Sequence, residues 1–235
     1  MFLIPGLRIL NLNLKTLLKI NFMNFFSDRL TKYVNEHTCS ESKLLVDLRR
    51  ETELKHLNSI MLSSEYQGRL LSLISKIKQP KNILEIGTYT GYSTICLAEG
   101  LAENGKIHTI DKNEELVEIQ KKYFSKSKFN KNIEIHTGNA LEIINGLNIN
   151  FDLIFLDADK ENYVTYFQII CKILNKNGIL ITDNVLWHGK VLNSKESHDD
   201  VTTKIDQFNK ELVLNNKFQT FMLPIRDGLS IAIKL

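Results

Sequence analysis

Two polar clusters follow directly on the most apolar stretches of this chain. "FLDADKENY" at 155–163 sets Asp157, Asp159 and Lys160 after a strand-like run, and "ITDNVLWHG" at 181–189 does the same with Asp183 and Asn184. Two carboxylates and an amide oxygen are hard donors that form half of an octahedral shell for Mg²⁺ or Ca²⁺, leaving room for substrate and water. Each cluster also has an ordinary use: Asp159 can cap the helix that "KENY" begins, and Asp183-Asn184 can make a turn. Lys160, three residues after Asp157, reaches the same mouth. Beside a divalent cation its ammonium is disfavoured, so the neutral amine can act as a general base; the alternative is a solvated lysine at a helix start.

A second constellation lies upstream. In "EIGTYTGYS" at 85–93, Gly87 and Gly91 permit close backbone approach and Ser93 opens a helix whose N–H groups suit a ligand carboxylate. Asp111, 24 residues after Gly87, ends the next apolar run, where an acid can accept from both hydroxyls of a ribose. Together they describe a nucleoside site. The Gly-x-x-x-Gly spacing is not the Gly-x-Gly-x-x-Gly that cradles a pyrophosphate, which favours S-adenosylmethionine over NAD. A tight turn beside a solvated Asp is the structural alternative.

These residues need elements to position them. Residues 24–79 carry apolar positions at helical spacing, as in "DRLTKYVNEH" and "SKLLVDLRRETELKHLNSIM". After Pro80, strand-like runs at 82–87, 106–111, 132–138, 151–158 and 178–184 alternate with helical segments near 92–102, 113–126 and 160–175. That alternation predicts an α/β fold, a Rossmann-like doubly wound, mostly parallel sheet with N-terminal helices. Its ligands belong at the carboxyl ends of the strands, where the polar clusters fall. "KFQTFMLPI" and "LSIAIKL", separated by "RDG", predict an antiparallel C-terminal hairpin at one edge.

Hydrophobic residues make up 43% of the 235, enough for one catalytic domain over 24–235 preceded by an extension at 1–23. Three of the 30 basic residues and none of the 27 acidic ones precede Asp28, so the rest of the chain is neutral and no overall basic field points to nucleic acid. Cys39, Cys96 and Cys171 are widely spaced, which argues against disulfides or a zinc ribbon and for a reducing, cytoplasmic setting. Asn and Lys residues break up the apolar N-terminal stretch, so no membrane span is expected. The extension reads as a basic amphipathic surface segment, a docking helix or, favoured here, a dispensable leader before a second start at Met23.

Taken in order, "ILEIGTYTGYS", "DADKENY", "DNVLWHGKV" and "LPIRDGLSIAIKL" resemble the cation-dependent, S-adenosylmethionine-dependent O-methyltransferases, the group that contains catechol and caffeoyl-CoA O-methyltransferases and bacterial relatives. The likeness spans roughly residues 55–235 and includes the 26-residue step from Asp157 to Asp183. It implies that Asp157, Asp183 and Asn184 hold the metal and that Lys160 is the base. It also implies that Glu85, Gly87, Tyr89 and Ser93 surround the methionine part of the cofactor, Asp111 its ribose and Ala140 its adenine. Met61 and Ser63, in "MLSSEYQG", would close over the cofactor, with Asp157 and Asp159 nearby. Trp187 and His188 would border the acceptor; plant enzymes carry Asn at the latter position, and a packed core residue is the alternative for Trp187.

The resemblance implies a homodimer that methylates a hydroxyl of a catechol-like small molecule, acyl-CoA-linked ones included, with Mg²⁺ before Ca²⁺ or Mn²⁺. One rival is a tRNA hydroxyuridine methyltransferase of the same fold, which the neutral charge of residues 28–235 disfavours. The other is a nucleotide- or NAD-binding protein without methyl transfer, which leaves the acidic clusters unexplained. No nucleic-acid partner and no stable membrane insertion are expected.

Overall fold

The computed structural model describes residues 27–56 and 61–235; the expectations for the extension at 1–23, the second start at Met23 included, lie outside the described residues. Three helices come first: α1 (Asp28–Glu36), α2 (Lys43–Lys55) and α3 (Glu65–Lys78). Each begins on a serine, Ser27, Ser42 or Ser64, whose hydroxyl accepts from a first-turn backbone N–H. α3 stops where Gln79 turns left-handed (φ 50°) before Pro80.

Strand and helix then alternate: β1 (Asn82–Ile86), α4 (Tyr92–Ala98), β2 (Lys106–Asp111), α5 (Val117–Phe124), β3 (Ile133–Thr137), α6 (Ala140–Gly146), β4 (Phe151–Leu156), α7 (Tyr163–Ile173) and β5 (Leu174–Asp183). α8 (Asp200–Leu214), β6 (Phe218–Leu223) and β7 (Leu229–Lys234) complete the chain. The sheet order is β3-β2-β1-β4-β5-β7-β6. β1 to β5 are parallel, and β7 runs antiparallel between β5 and β6. This is the Rossmann-like, doubly wound sheet with the antiparallel hairpin that the sequence predicts.

Both faces of the sheet are covered. On one, Leu45, Leu71 and Leu97 pack with Ile83 and Leu153; on the other, Tyr163, Phe167 and Phe208 pack with Leu84 and Ile154. Consecutive strand residues are buried on opposite faces, which is why the strands read as unbroken apolar runs. The chain winds outward in both directions from β1 and β4. Ile86 pairs with Leu156, so Gly87 and Asp157 emerge side by side at the point where the strand order reverses, the place such sheets bind ligands.

Two differences from the sequence reading stand out. β5 starts at Leu174 rather than near 178, because α7 runs straight into it and Leu174 pairs with Phe151 ahead of a register irregularity. α6 and α8 had no predicted counterpart. α8 nevertheless carries a helical signature, Asp199 capping Thr202 N–H at 2.7 Å and Ile205, Phe208 and Leu212 buried at spacings of three and four.

Candidate active site

A cleft of ≈ 980 Å³ follows the carboxyl ends of the strands. One wall comes from the turn after β1. Gly87 (φ 105°) has no room for a Cβ because the Asp157 carbonyl occupies that space, and at Gly91 (φ 92°) the Phe124 ring does. Glycine is needed there for the protein's own packing and its left-handed backbone, and Gly87 also lines the cleft. Tyr89 N–H donates to Asp111 Oδ2 at 2.7 Å, Asn113 N–H donates to Asp111 Oδ1 at 2.9 Å, and Gln120 Nε2 donates to the Tyr89 carbonyl at 2.7 Å. A carboxylate has about four lone-pair sites, so Asp111 keeps acceptor capacity toward the cleft it lines.

Met61, Gly87, Tyr89 and Ala140 line the cleft with Asp111, whereas Ser63, Glu85 and Ser93 are buried behind it. Glu85 Oε2 accepts from Thr109 Oγ1 at 2.6 Å and also from Thr94 Oγ1. Burial pushes its carboxyl up to about 7 against the opposing pull of the Ser93, Thr109 and Thr94 hydroxyls.

The second wall holds the acidic clusters. Asp157, Asp159, Lys160, Asp183 and Asn184 all line the same cleft. Lys160 Nζ donates to Asp157 Oδ1 at 2.7 Å. Asp183 Oδ2 accepts from Gln67 Nε2 at 2.7 Å and Oδ1 from Asn184 N–H at 2.8 Å. Burial raises the Asp157 carboxyl to about 6; Lys160 opposes the rise and the Asp183 charge adds to it. For Lys160, burial works against the ammonium, and Tyr163 and Asp157 outweigh it, holding the group above its ordinary value. Asp159 makes no capping bond from its side chain. It accepts from Tyr166 Oη at 2.9 Å and from Asn162 Nδ2 instead, so the helix-cap alternative does not describe it.

Trp187 and His188 form the outer rim. Asn184 (φ 58°), Trp187 (φ 45°) and His188 (φ 56°) are all left-handed, a conformation that costs a non-glycine residue about 1–3 kcal/mol and recurs at functional sites. Asp227, from the β6–β7 turn, fixes this rim: its carboxylate accepts from His188 N–H, and its carbonyl accepts from Leu186 N–H at 2.9 Å. Trp187 belongs to neither buried cluster, so it is not the packed core residue of the alternative reading.

Gln67, Arg226 and Asp227 were missed as site residues. Arg226 Nη1 donates to Gln67 Oε1 at 3.0 Å, and Gln67 in turn holds Asp183. Their segments, "MLSSEYQG" and "LPIRDG", were visible in the sequence; their partners, more than a hundred residues away for Gln67 and Arg226 and 39 away for Asp227, were not.

The residues present suit both groups that the fold implies. Tyr89 Oη and Trp187 Nε1, on residues that line the cleft, are buried polar atoms without a hydrogen-bond partner, the unpaired condition that a bound ligand relieves. Ile86, Ile110 and Leu141 give the cleft an apolar side for a purine. Asp157, Asp183 and the Asn184 amide offer only hard oxygen donors for a cation. Among the described residues no three His, Cys, Asp or Glu side chains form a metal site by themselves, so the amide and outside oxygens have to complete the shell.

Comparison with known proteins agrees with this geometry. The family model for O-methyltransferases matches residues 35–235. The chain is 31% identical over 222 residues to a caffeoyl-CoA O-methyltransferase from Medicago sativa, covering 89% of this chain and 90% of that protein. Among solved structures, the O-methyltransferase from Bacillus cereus in complex with SAH superposes with a TM-score of 0.81 at 29% identity, over 88% of this chain and 97% of the other. The O-methyltransferase TomG from Streptomyces achromogenes, in complex with SAM, gives a TM-score of 0.80 at 26% identity, over 88% and 96% of the two chains. With the strand-end cleft, the ordered motifs and these relatives in agreement, the chain belongs to the S-adenosylmethionine-dependent O-methyltransferase family of the caffeoyl-CoA O-methyltransferase type.

Proposed function

We propose that this enzyme methylates one hydroxyl of a catechol-like small molecule, acyl-CoA-linked ones included, with a divalent cation, Mg²⁺ first, at Asp157, Asp183 and Asn184. The observation that carries this reading is the meeting of those three side chains past the paired ends of β4 and β5, on the cleft that Asp111 and Gly87 also line. A cation held by Asp157, Asp183 and Asn184 would supply Lewis-acid activation of an acceptor hydroxyl, and S-adenosylmethionine would supply the methyl group.

The chain's own residues orient the reactants and move the proton. Asp111 turns its remaining lone pairs to the ribose, and Trp187 and His188 bound the acceptor side. Lys160 Nζ, 2.7 Å from Asp157 Oδ1, takes the hydroxyl proton. Burial by itself lowers a lysine's pKa, so Lys160 can serve as the base only when the Tyr163 and Asp157 interactions that hold its ammonium are relieved. We further propose one catalytic domain over 24–235 with a peripheral extension, a cytoplasmic setting that fits the three free cysteines, and a homodimer. Leu73 and Ile77 on α3 and Phe221 on β6 are exposed apolar side chains suited to a second copy. No helix among the described residues is long and apolar enough to cross a membrane.

The test is methyl transfer from labelled S-adenosylmethionine to catechol, caffeoyl-CoA and tRNA, using protein stripped of metal and then supplied with Mg²⁺. Methylation of a vicinal diol only after Mg²⁺ is added is the expected result. Full activity in verified metal-free buffer, or transfer to tRNA alone, overturns the reading.

A further inference from the structure

We propose that Arg226 is a positioning residue that fixes the start of α3 against the cleft through Gln67 and the Leu62 carbonyl. The proposal rests on the cleft being where the cofactor binds. Arg226 sits in the β6–β7 turn with φ 50°, a left-handed conformation that strains an ordinary residue and that glycine adopts freely. Such strain persists only where the surroundings over-determine it. The surroundings here include two acceptors: Nη1 donates to Leu62 O at 3.1 Å and to Gln67 Oε1 at 3.0 Å.

Gln67 passes the constraint on. It is 1% exposed, and its Nε2 donates to Asp183 Oδ2 at 2.7 Å. A guanidinium can only donate and a carboxylate can only accept, so the two partners together fix which way the amide faces. Ser64 and Gln67 have the spacing of a capping box, and Ser64 Oγ does accept from Gln67 N–H at 3.2 Å. In a full box the glutamine side chain returns to the N–H of the capping residue; here it turns away to Asp183 and Arg226. The helix start is thereby tied to two other strand-end loops. Met61, beside Leu62, lines the cleft, so Arg226 sets how residues 61–67 stand over the site.

The test uses the full chain and the variants Arg226→Gly and Arg226→Lys. Glycine keeps the left-handed turn without strain, which offsets the hydrogen bonds lost to Leu62 and Gln67, so the melting temperature of Arg226→Gly should stay within a few degrees (~5 °C) of the wild type. S-Adenosylhomocysteine affinity, measured by calorimetry in metal-free buffer, should fall about tenfold, the scale of one charge-assisted hydrogen bond lost. Amide hydrogen exchange should accelerate at residues 61–67 and stay unchanged in the sheet, and Arg226→Lys should recover part of both effects. Wild-type affinity with wild-type exchange in a folded Arg226→Gly overturns the proposal. Acceleration spread across the sheet does so too, because it makes Arg226 a general support of the fold. If Arg226→Gly fails to fold, Arg226→Lys decides: local acceleration with weaker binding supports the role, and wild-type values reject it. Neither measurement needs a cation or an acceptor, so failure here leaves the methyl-transfer reading to its own chelation test.

Discussion

The two halves of the cleft are built differently. On the cofactor side, the turns after β1 and β2 hold their backbone with short internal bonds, as where Asp111 clamps Tyr89 and Asn113, and the charge that might be exposed there, Glu85, is buried beneath hydroxyls. On the acceptor side, Asp157, Asp183 and Asp227 crowd together with Lys160 and Arg226. Four non-glycine residues there, Asn184, Trp187, His188 and Arg226, adopt left-handed backbone, against Tyr89 alone on the cofactor side. The first half is a settled nest in which shape is kept by local bonds. The second stores charge and strain, and its geometry depends on residues drawn from α3, β4, β5 and the β6–β7 turn.

If that contrast is functional, loss of the cation from Asp157, Asp183 and Asn184 should stop chemistry while cofactor binding survives, unlike loss of Arg226, whose guanidinium reaches the start of α3. Chelation, and Asp183→Ala, should lower turnover by about 10³-fold or more, the scale of losing several kcal/mol of charge stabilisation. Under chelation, S-adenosylhomocysteine affinity should stay within a few fold, checked by calorimetry on the same samples; Asp183→Ala also releases Gln67 Nε2, so its affinity is compared with that of Arg226→Gly. Loss of both together would erase the distinction between the halves.

Lys160→Ala comes next, with a fall in turnover of roughly 10²- to 10⁴-fold for a general base. The loss should shrink for acceptors whose hydroxyl is already acidic, since these need less help with the proton. Removing Lys160 also removes the charge that opposes the rise of the Asp157 carboxyl, so the assay belongs near pH 9, where Asp157 is ionised with or without its partner. Equal losses across a series of phenols of differing acidity would leave Lys160 a structural counter-ion.

The same contrast governs what the sequence revealed. The cofactor side was largely legible, because a strand, a glycine turn and an acid at the next strand end are features of local order. Asp157, Asp183 and Asn184 were legible for a related reason: charges directly after buried strands are conspicuous. Gln67, Arg226 and Asp227 were not, since an amide in a helix start and an Arg-Asp pair in a hairpin turn look solvated until the fold brings them to Asp183 and His188. α8 had no predicted counterpart although Ile205, Phe208 and Leu212 carry its period. A further reason for the glycines was not legible, because the Asp157 carbonyl and the Phe124 ring that exclude a side chain come from distant segments.

Glu85 provides a pH test of the settled half. Its carboxyl lies near 7 in the folded chain against 4.5 ordinarily, so the folded state binds more protons than the unfolded one between those values. Stability therefore falls as pH rises from about 4.5 to 7, by up to ~3 kcal/mol from this group. Asp157, raised to about 6, adds a fall of the same sign that ends lower. Glu85→Gln should flatten the slope between pH 6 and 7 in urea unfolding of ligand-free protein and raise stability at pH 8. An unchanged slope would mean that the Thr94, Thr109 and Ser93 hydroxyls already hold Glu85 ionised.

The smallest effect expected is at Asp111, and it decides whether that carboxylate serves the ligand as well as the loop. Both of its oxygens already accept from backbone N–H groups, so a weaker cofactor in Asp111→Ala could report only a loosened Tyr89 turn. The two contributions separate with a second ligand, S-adenosylhomocysteine lacking the ribose hydroxyls. If Asp111 accepts from those hydroxyls, the wild type should prefer the natural ligand by about 1–3 kcal/mol, the cost of leaving a buried acceptor unpaired. Asp111→Ala should bind both ligands alike. The difference of the two preferences is then the coupling between Asp111 and the ribose, free of whatever the mutation does to the loop. A preference that persists in Asp111→Ala would assign the hydroxyls to another acceptor on the cleft and leave Asp111 as a clamp for the Tyr89 turn alone.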